Sequence, residues 1–248
     1  MNHLEHCAAL ETEITRFADV LRSADPMRPV PSCPGWSIRD LGEHLGEVHR
    51  WAEYLVREHA QVRVSPSDMG LNYESLSPTW ILEGGAQLLA TLRNCDPNLV
   101  IWAWGSDQHA RFWSRRQLHE TLMHRIDLEL VLGIGPRAPV SVAADAIDEF
   151  LVNLPYAAVF SPRVTELIGS GSRLAFTQLD GDGRWVVTLG ENGVTLTRDD
   201  ELADVELSAN TFDLLLVLYR RRSMEGFEFV LTGDQDLLSF WLARSALE

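Results

Sequence analysis

The 248-residue chain contains no lysine; all 21 of its basic residues are arginine. Folding does not require that exclusion, so it reads as the codon bias of a GC-rich genome. Cysteine is also scarce. Cys7, Cys33 and Cys95 are odd in number, far apart and without a Cys-x-x-Cys pair, which excludes a disulfide framework and a zinc ribbon. Long apolar runs are missing: stretches such as 212–219 fall well short of the roughly 20 residues that span a bilayer. The first residues lack a basic segment followed by an apolar one, so no secretory signal is expected and the setting reads as a reducing cytoplasm. Positive charge is in deficit, with 21 basic residues against 36 acidic and a net charge of −15. Such a surface repels phosphate backbones and anionic bilayers, which argues against nucleic-acid and membrane partners.

What is present is ordinary globular material, long enough for one large domain or two small ones. Residues 4–22 read as an amphipathic helix with Leu4, Ala8, Ile14, Phe17, Ala18 and Leu21 inward. Pro26, Pro29, Pro31 and Pro34 make a connector that cannot be helical. Ser37 and Asp40 form a capping-box-like start for a second helix, about 38–58. Residues 62–78 read as a loop, 79–92 as a third helix weakened by Gly84-Gly85, and 101–104 as strand or loop. A fourth helix, about 112–132, stops at Gly133, and 142–154 reads as one more. Period-2 alternation then marks strands at 173–176, 184–189, 194–197, 205–208 and 229–231, with helices at 211–220 and 235–243. Asn192-Gly193 is a strong hairpin signal. The expected fold class is α+β in two domains: an up-down four-helix bundle over 1–155 and a small α+β domain over 156–248.

Three residues carry the chemistry. Stepping about 100° per residue places His44 within roughly 50° of the centre of the apolar face of the second helix, and His49 roughly 90° away, toward the flank. Glu120 and His124 are one turn apart on one face of the fourth helix, with Asp127 continuing the stripe. A carboxylate and an imidazole turned into a bundle need a reason, because an unpaired buried charge is costly. A divalent cation supplies one: two imidazoles and a carboxylate suit it and leave coordination positions open. Asp127 could then accept an imidazole N–H and fix its tautomer. The plainer reading is a helix-surface Glu/His pair with His44 satisfied in the core. Cys33 reads as a small residue packing the connector. Trp36, Trp51, Trp80, Trp102, Trp104 and Trp113 read as bundle packing, with one or two at a pocket mouth. His3, His6, His59 and His109 read as exposed, and Arg50 and Arg125 as surface ion pairs.

The run from Cys33 to Gly46 (Cys-Pro-Gly-Trp-Ser-Ile-Arg-Asp-Leu-Gly-Glu-His-Leu-Gly) resembles the segment that opens the second helix in the mycothiol-dependent maleylpyruvate isomerase family. His119-Glu120-Thr121-Leu122-Met123-His124-Arg125-Ile126-Asp127 resembles that family's other signature. The resemblance implies a DinB-like metal-binding bundle followed by a sterol-carrier-like α+β domain. It places metal ligands on His44, Glu120 and His124, with zinc the usual ion and mycothiol the thiol cosubstrate. Mycothiol is an actinobacterial thiol, and GC-rich actinobacterial genomes suit a chain without lysine. The family's arginine after the apolar helix of the second domain falls on Arg221, with Arg220 adjacent, where it would hold a carboxylate; a solvated basic helix end is the competing reading.

The implied activity is metal-dependent use of mycothiol, either to isomerise an unsaturated, maleylpyruvate-like acid or to transfer the thiol to a small electrophile. The alternatives are a metal-assisted hydrolase on the same bundle and a non-catalytic binder of a small ligand. A monomer or small homo-oligomer is expected.

Overall fold

The computed structural model describes residues 1–69, 76–198 and 201–246. The chain divides into two compact units, Met1–Arg137 and Ala138–Glu248.

Four long helices build the first unit: α1 (His3–Leu21), α2 (Ile38–Arg57), α3 (Pro78–Asn94) and α4 (Ala110–Leu132). Their starts are written locally. Asn2 with Glu5 and Ser37 with Asp40 form reciprocal capping boxes, and Ser77 caps α3 ahead of Pro78 at its first turn. Gly133, in the left-handed region at φ 73°, ends α4. α1 packs on α3 and α4, and α2 packs on the same two helices, so the four close into a ring. His44 meets Glu120, whereas Trp51, seven residues later on α2, meets Trp113, seven residues earlier on α4. α2 and α4 therefore run antiparallel.

Several expectations for this unit are corrected. On α1, Leu4 and Ala8 face solvent, while His6, Cys7, Leu10, Glu13 and Ile14 face inward. The polar positions are tolerated inside because they find partners: the His6 ring meets His119 edge-on, and Glu13 pairs with Arg125. α3 runs unbroken through Gly84-Gly85, whose missing side chains admit Arg50 and Ile14. The 101–104 segment, open between strand and loop in the sequence, is loop; a single bridge joins Val100 to His109, and Trp102 accepts a hydrogen bond from the Trp113 indole. Within the loop at 62–78 a short 3-10 turn covers Pro66–Met69, and residues 70–75 lie outside the described residues.

Arg125 and Arg50 are not surface ion pairs. Arg125 is fully buried between Glu13 and Glu129, with Arg16 reaching Glu129 from α1. The reason is the position of α4, which touches α1, α2 and α3 and so buries its charged face as well as its apolar one. Arg50 lies over the Trp80 ring and donates to the carbonyls of Gly46 and Trp80.

The second unit comprises α5 (Val140–Asn153), β1 (Ser172–Gln178), β2 (Arg184–Gly190), β3 (Gly193–Thr197), β4 (Val205–Ala209), α6 (Thr211–Leu218), β5 (Phe229–Gly233) and α7 (Gln235–Arg244). The sheet order is β3-β2-β1-β4-β5, with β1 and β4 parallel and every other pair antiparallel. The β2–β3 turn falls at Asn192-Gly193, as the dipeptide predicts, with Gly193 at φ 109°. α6 packs on α5, β1 and β4, and α7 packs on β4. This is the helical unit plus α+β unit that the pattern of the sequence implies, but the division falls after Arg137 and not at 155, so α5 belongs to the second unit. Among the described residues no helix is long and apolar enough to cross a membrane.

Candidate metal centre

α2 and α4 each bring donor atoms to one point of the first unit. Nε2 of His44 lies 2.9 Å from Oε1 of Glu120, and Nε2 of His124 lies 3.2 Å from the same oxygen. One donor atom from each of the three side chains falls within 4.8 Å of the others. The two imidazoles meet edge to face with their centroids 5.0 Å apart. In a tetrahedral ion with ligands at about 2.0–2.1 Å, neighbouring donors stand about 3.3 Å apart, so the spacing here already suits one.

Neighbours hold each ligand. Oδ2 of Asp127 lies 3.1 Å from Nδ1 of His124, and Nη2 of Arg116 donates to Oε2 of Glu120 at 3.3 Å. Burial opposes a charge on Glu120, yet hydrogen bonds from His124 and His44 outweigh it and hold the carboxyl well below its usual range. Burial likewise opposes a charge on His124, yet Asp127, Cys33 and Glu120 together push its pKa well above the ordinary imidazole value. The cluster therefore calls for positive charge between His124 and Glu120. A divalent cation taken up there would supply it. Two neutral imidazole nitrogens, a carboxylate oxygen and a hydrogen-bonded outer acceptor form a donor set that fits zinc or a similar ion.

The connector before α2 supplies the mouth. Trp36 N–H donates to Cys33 O at 3.0 Å and Gly35 sits at φ 87°, so Cys33-Pro34-Gly35-Trp36 makes the arrangement of a type II turn. Only glycine adopts that backbone at the third position without strain. The turn carries Trp36 to 4.8 Å from the His44 ring and 6.1 Å from the His124 ring, between centroids. It also puts Cys33 Sγ 3.5 Å from Oδ2 of Asp127. Cys33 is thus more than packing, and Cys33, His124 and Asp127 make a second group of donors within 4.8 Å of one another.

Position bears on four further expectations. His49 is fully buried, not on the flank, because α2 is covered by α3 and α4 on two sides. Its Nε2 meets Thr121 Oγ1 at 2.8 Å, and Thr121 in turn donates to Gln117 O. Burial, helped by nearby Arg50, pushes the His49 pKa down to about 3, so the ring stays neutral. His6 is buried, while His3 and His109 are half-buried and hydrogen-bonded, to Ser114 and Leu92 O and to Asp107; of the four, only His59 is exposed. Trp51, Trp80 and Trp113 pack the bundle, and Trp36 takes the mouth. Arg221 lies in the second unit, past α6, which ends at Leu218; its Nη1 donates to Tyr219 O. The preceding Arg220 takes the left-handed backbone at φ 58°. Arg116 was missed by the sequence reading, although its spacing of four residues from Glu120 was a usable signal.

Two family models match the chain. One, described as the mycothiol maleylpyruvate isomerase N-terminal domain, covers residues 7–129, and the other, the MDMPI C-terminal domain, covers 141–240. No curated protein matches the sequence at a significant level. The crystal structure of the mycothiol-dependent maleylpyruvate isomerase aligns over 92% of this chain and 93% of its own, with TM-score 0.58 and 14% identity. A variant of it with one histidine changed to alanine gives the same values. At that identity the likeness is one of fold. A sec-alkylsulfatase from Pseudomonas sp. aligns 90% of this chain with 33% of its own at 15% identity, but its TM-score of 0.33 carries no argument.

Proposed function

The chain belongs to the mycothiol maleylpyruvate isomerase family, and we propose that it is a metal-dependent enzyme that uses mycothiol to isomerise an unsaturated, maleylpyruvate-like acid. The observation that carries this reading is the convergence of His44 and His124 on one oxygen of Glu120.

A divalent ion, zinc in the first instance, would be held by His44, Glu120 and His124 and would supply the Lewis acidity that keeps a thiol deprotonated at neutral pH. Three protein ligands leave room for one more. Asp127, 3.1 Å from Nδ1 of His124, would hold the proton there and leave Nε2 as the nitrogen that ligates. Arg116 restrains the second oxygen of Glu120. Trp36 walls the site beside both imidazoles and offers a flat face to a conjugated acid. Addition of a thiolate to the conjugated double bond makes it single, rotation follows, and expulsion of the thiolate restores the bond in the trans form. The family resemblance alone gives Arg221 as the residue for the acid's carboxylate, a group that a guanidinium suits.

The test has two stages. Protein purified without chelator should carry about one divalent ion per chain, lost in His44→Ala and Glu120→Ala. The loaded enzyme should then isomerise a cis-dienoate only when mycothiol is added. A wild-type chain that takes up no ion on titration overturns the reading. Metal-dependent turnover without any thiol points instead to hydrolysis, and a stable thioether product points to thiol transfer.

A further inference from the structure

His124 faces donors on both edges of its ring. Nε2 looks toward Glu120 and His44, and Nδ1 looks toward Asp127, whose Oδ2 also lies 3.5 Å from Cys33 Sγ. A tetrahedral ion with sulfur at about 2.3 Å and oxygen at about 2.0 Å places those two ligands about 3.5 Å apart, and nitrogen and oxygen about 3.3 Å apart. The observed Sγ–Oδ2 separation of 3.5 Å and Nδ1–Oδ2 separation of 3.1 Å sit close to both values. The three side chains come from two elements: the Cys-Pro-Gly-Trp turn brings the sulfur, and α4 brings the nitrogen and the oxygen. Cys33 is only partly buried, so an ion and its remaining water ligands could reach it.

We propose that Cys33, Asp127 and Nδ1 of His124 form a second cation site, distinct from the His44–Glu120–His124 set and selective for thiophilic divalent ions. A thiolate is the soft ligand that the first set lacks, so the two sets differ in the ions they prefer. Uptake at the second site releases the Cys33 thiol proton and the Nδ1 proton of His124 to solvent and leaves the ring hydrogen on Nε2. A neutral imidazole has one lone pair. An ion on Nδ1 therefore withdraws His124 from the first set, and the two sets exclude each other. This assignment does not depend on the catalytic reading. The site would take a cation whether the first set serves an enzyme or a binding protein.

Cobalt(II) tests it, because thiolate ligation gives a charge-transfer band in the near ultraviolet that nitrogen and oxygen ligands do not. The whole chain carrying His44→Ala, which breaks only the first set, is freed of metal and titrated with Co2+. The expected result is a near-ultraviolet band that saturates at about one ion per chain. It should vanish when Cys33→Ser is added, and the titration midpoint should rise at least tenfold with Asp127→Ala. Circular dichroism identifies any variant that fails to fold, and Cys33→Ala added to His44→Ala serves as a second probe of the same loss. No band in the folded His44→Ala protein overturns the proposal. So does a band that survives removal of Cys33, because it then belongs to Cys7 or Cys95.

Discussion

Oδ2 of Asp127 lies 3.1 Å from Nδ1 of His124, and this contact decides which nitrogen the ring can offer to Glu120. An ionised carboxylate only accepts hydrogen bonds, so Nδ1 keeps its hydrogen and Nε2 is the nitrogen that gives up a proton to an ion. The side chain three residues further along α4 thus sets which nitrogen an ion would take.

Removing that acceptor lets the ring turn and its tautomers mix. Asp127→Ala should weaken metal binding at the His44–Glu120–His124 set by about 10–100-fold without abolishing it. Competition against a chelator of known affinity measures the change. An unaltered affinity would mean that packing alone orients His124.

The buried Arg125 cluster should dominate the mutational stability of the helical unit. Glu13 and Glu129 clasp a guanidinium with no exposed side-chain surface, and Glu13 Oε2 is 2.7 Å from Nε. Glu13→Ala leaves the buried Arg125 to share Glu129 with Arg16, an uncompensated positive charge, and should cost about 3–5 kcal/mol. Changing Arg125 to methionine together with Glu13→Gln should cost much less, because no buried charge is left unpaired. Urea unfolding followed by tryptophan fluorescence distinguishes the two.

His49 predicts a loss of stability in mild acid. Its folded pKa is depressed to about 3, whereas the unfolded ring has an ordinary value near 6.5. Below about pH 6.5 the unfolded chain binds a proton that the folded chain refuses, so stability falls as pH drops from there toward 3. The slope from this residue alone approaches about 1.4 kcal/mol per pH unit. His49→Gln should remove that slope between pH 6 and 4, whatever it costs at neutral pH. Paired denaturation curves of wild type and variant across that range provide the check.

α2 and α3 approach each other through Gly46. A Cβ at that position would sit 2.0 Å from the Trp80 ring. Gly46→Ala should therefore destabilise by about 1–3 kcal/mol by overpacking, although alanine is the better helix former. Gly46→Ala combined with Trp80→Leu should recover part of the loss, which a double-mutant cycle on thermal unfolding would show.

The two long-range donors on α2 and α4 were legible because each depends only on a helical phase. Caps at Ser37 and Gly133 and the spacing of four between Glu120 and His124 are local facts, and burying both stripes forces them to face each other. Cys33 and Trp36 were not legible in the same way. Their places depend on a Pro-Gly turn docking against α4, some 90 residues away in sequence, as the 94-residue separation of Cys33 and Asp127 shows. His49 and Arg125 failed for a different reason. A helical wheel assumes one buried face, whereas α2 and α4 each have more than one helical neighbour. Polar residues on the extra faces look solvent-directed until their partners, Thr121 for one and Glu13 for the other, are known.

His44 and Glu120 stand 76 residues apart in the chain. An ion gripped between them closes a long loop, as a covalent cross-link would, but one that a chelator can open. Closing so long a loop restricts the unfolded chain strongly, and binding only to the folded form shifts the equilibrium further by mass action. Metal supply would then govern how long α2 and α4 stay together, and so the lifetime of the protein as well as its chemistry.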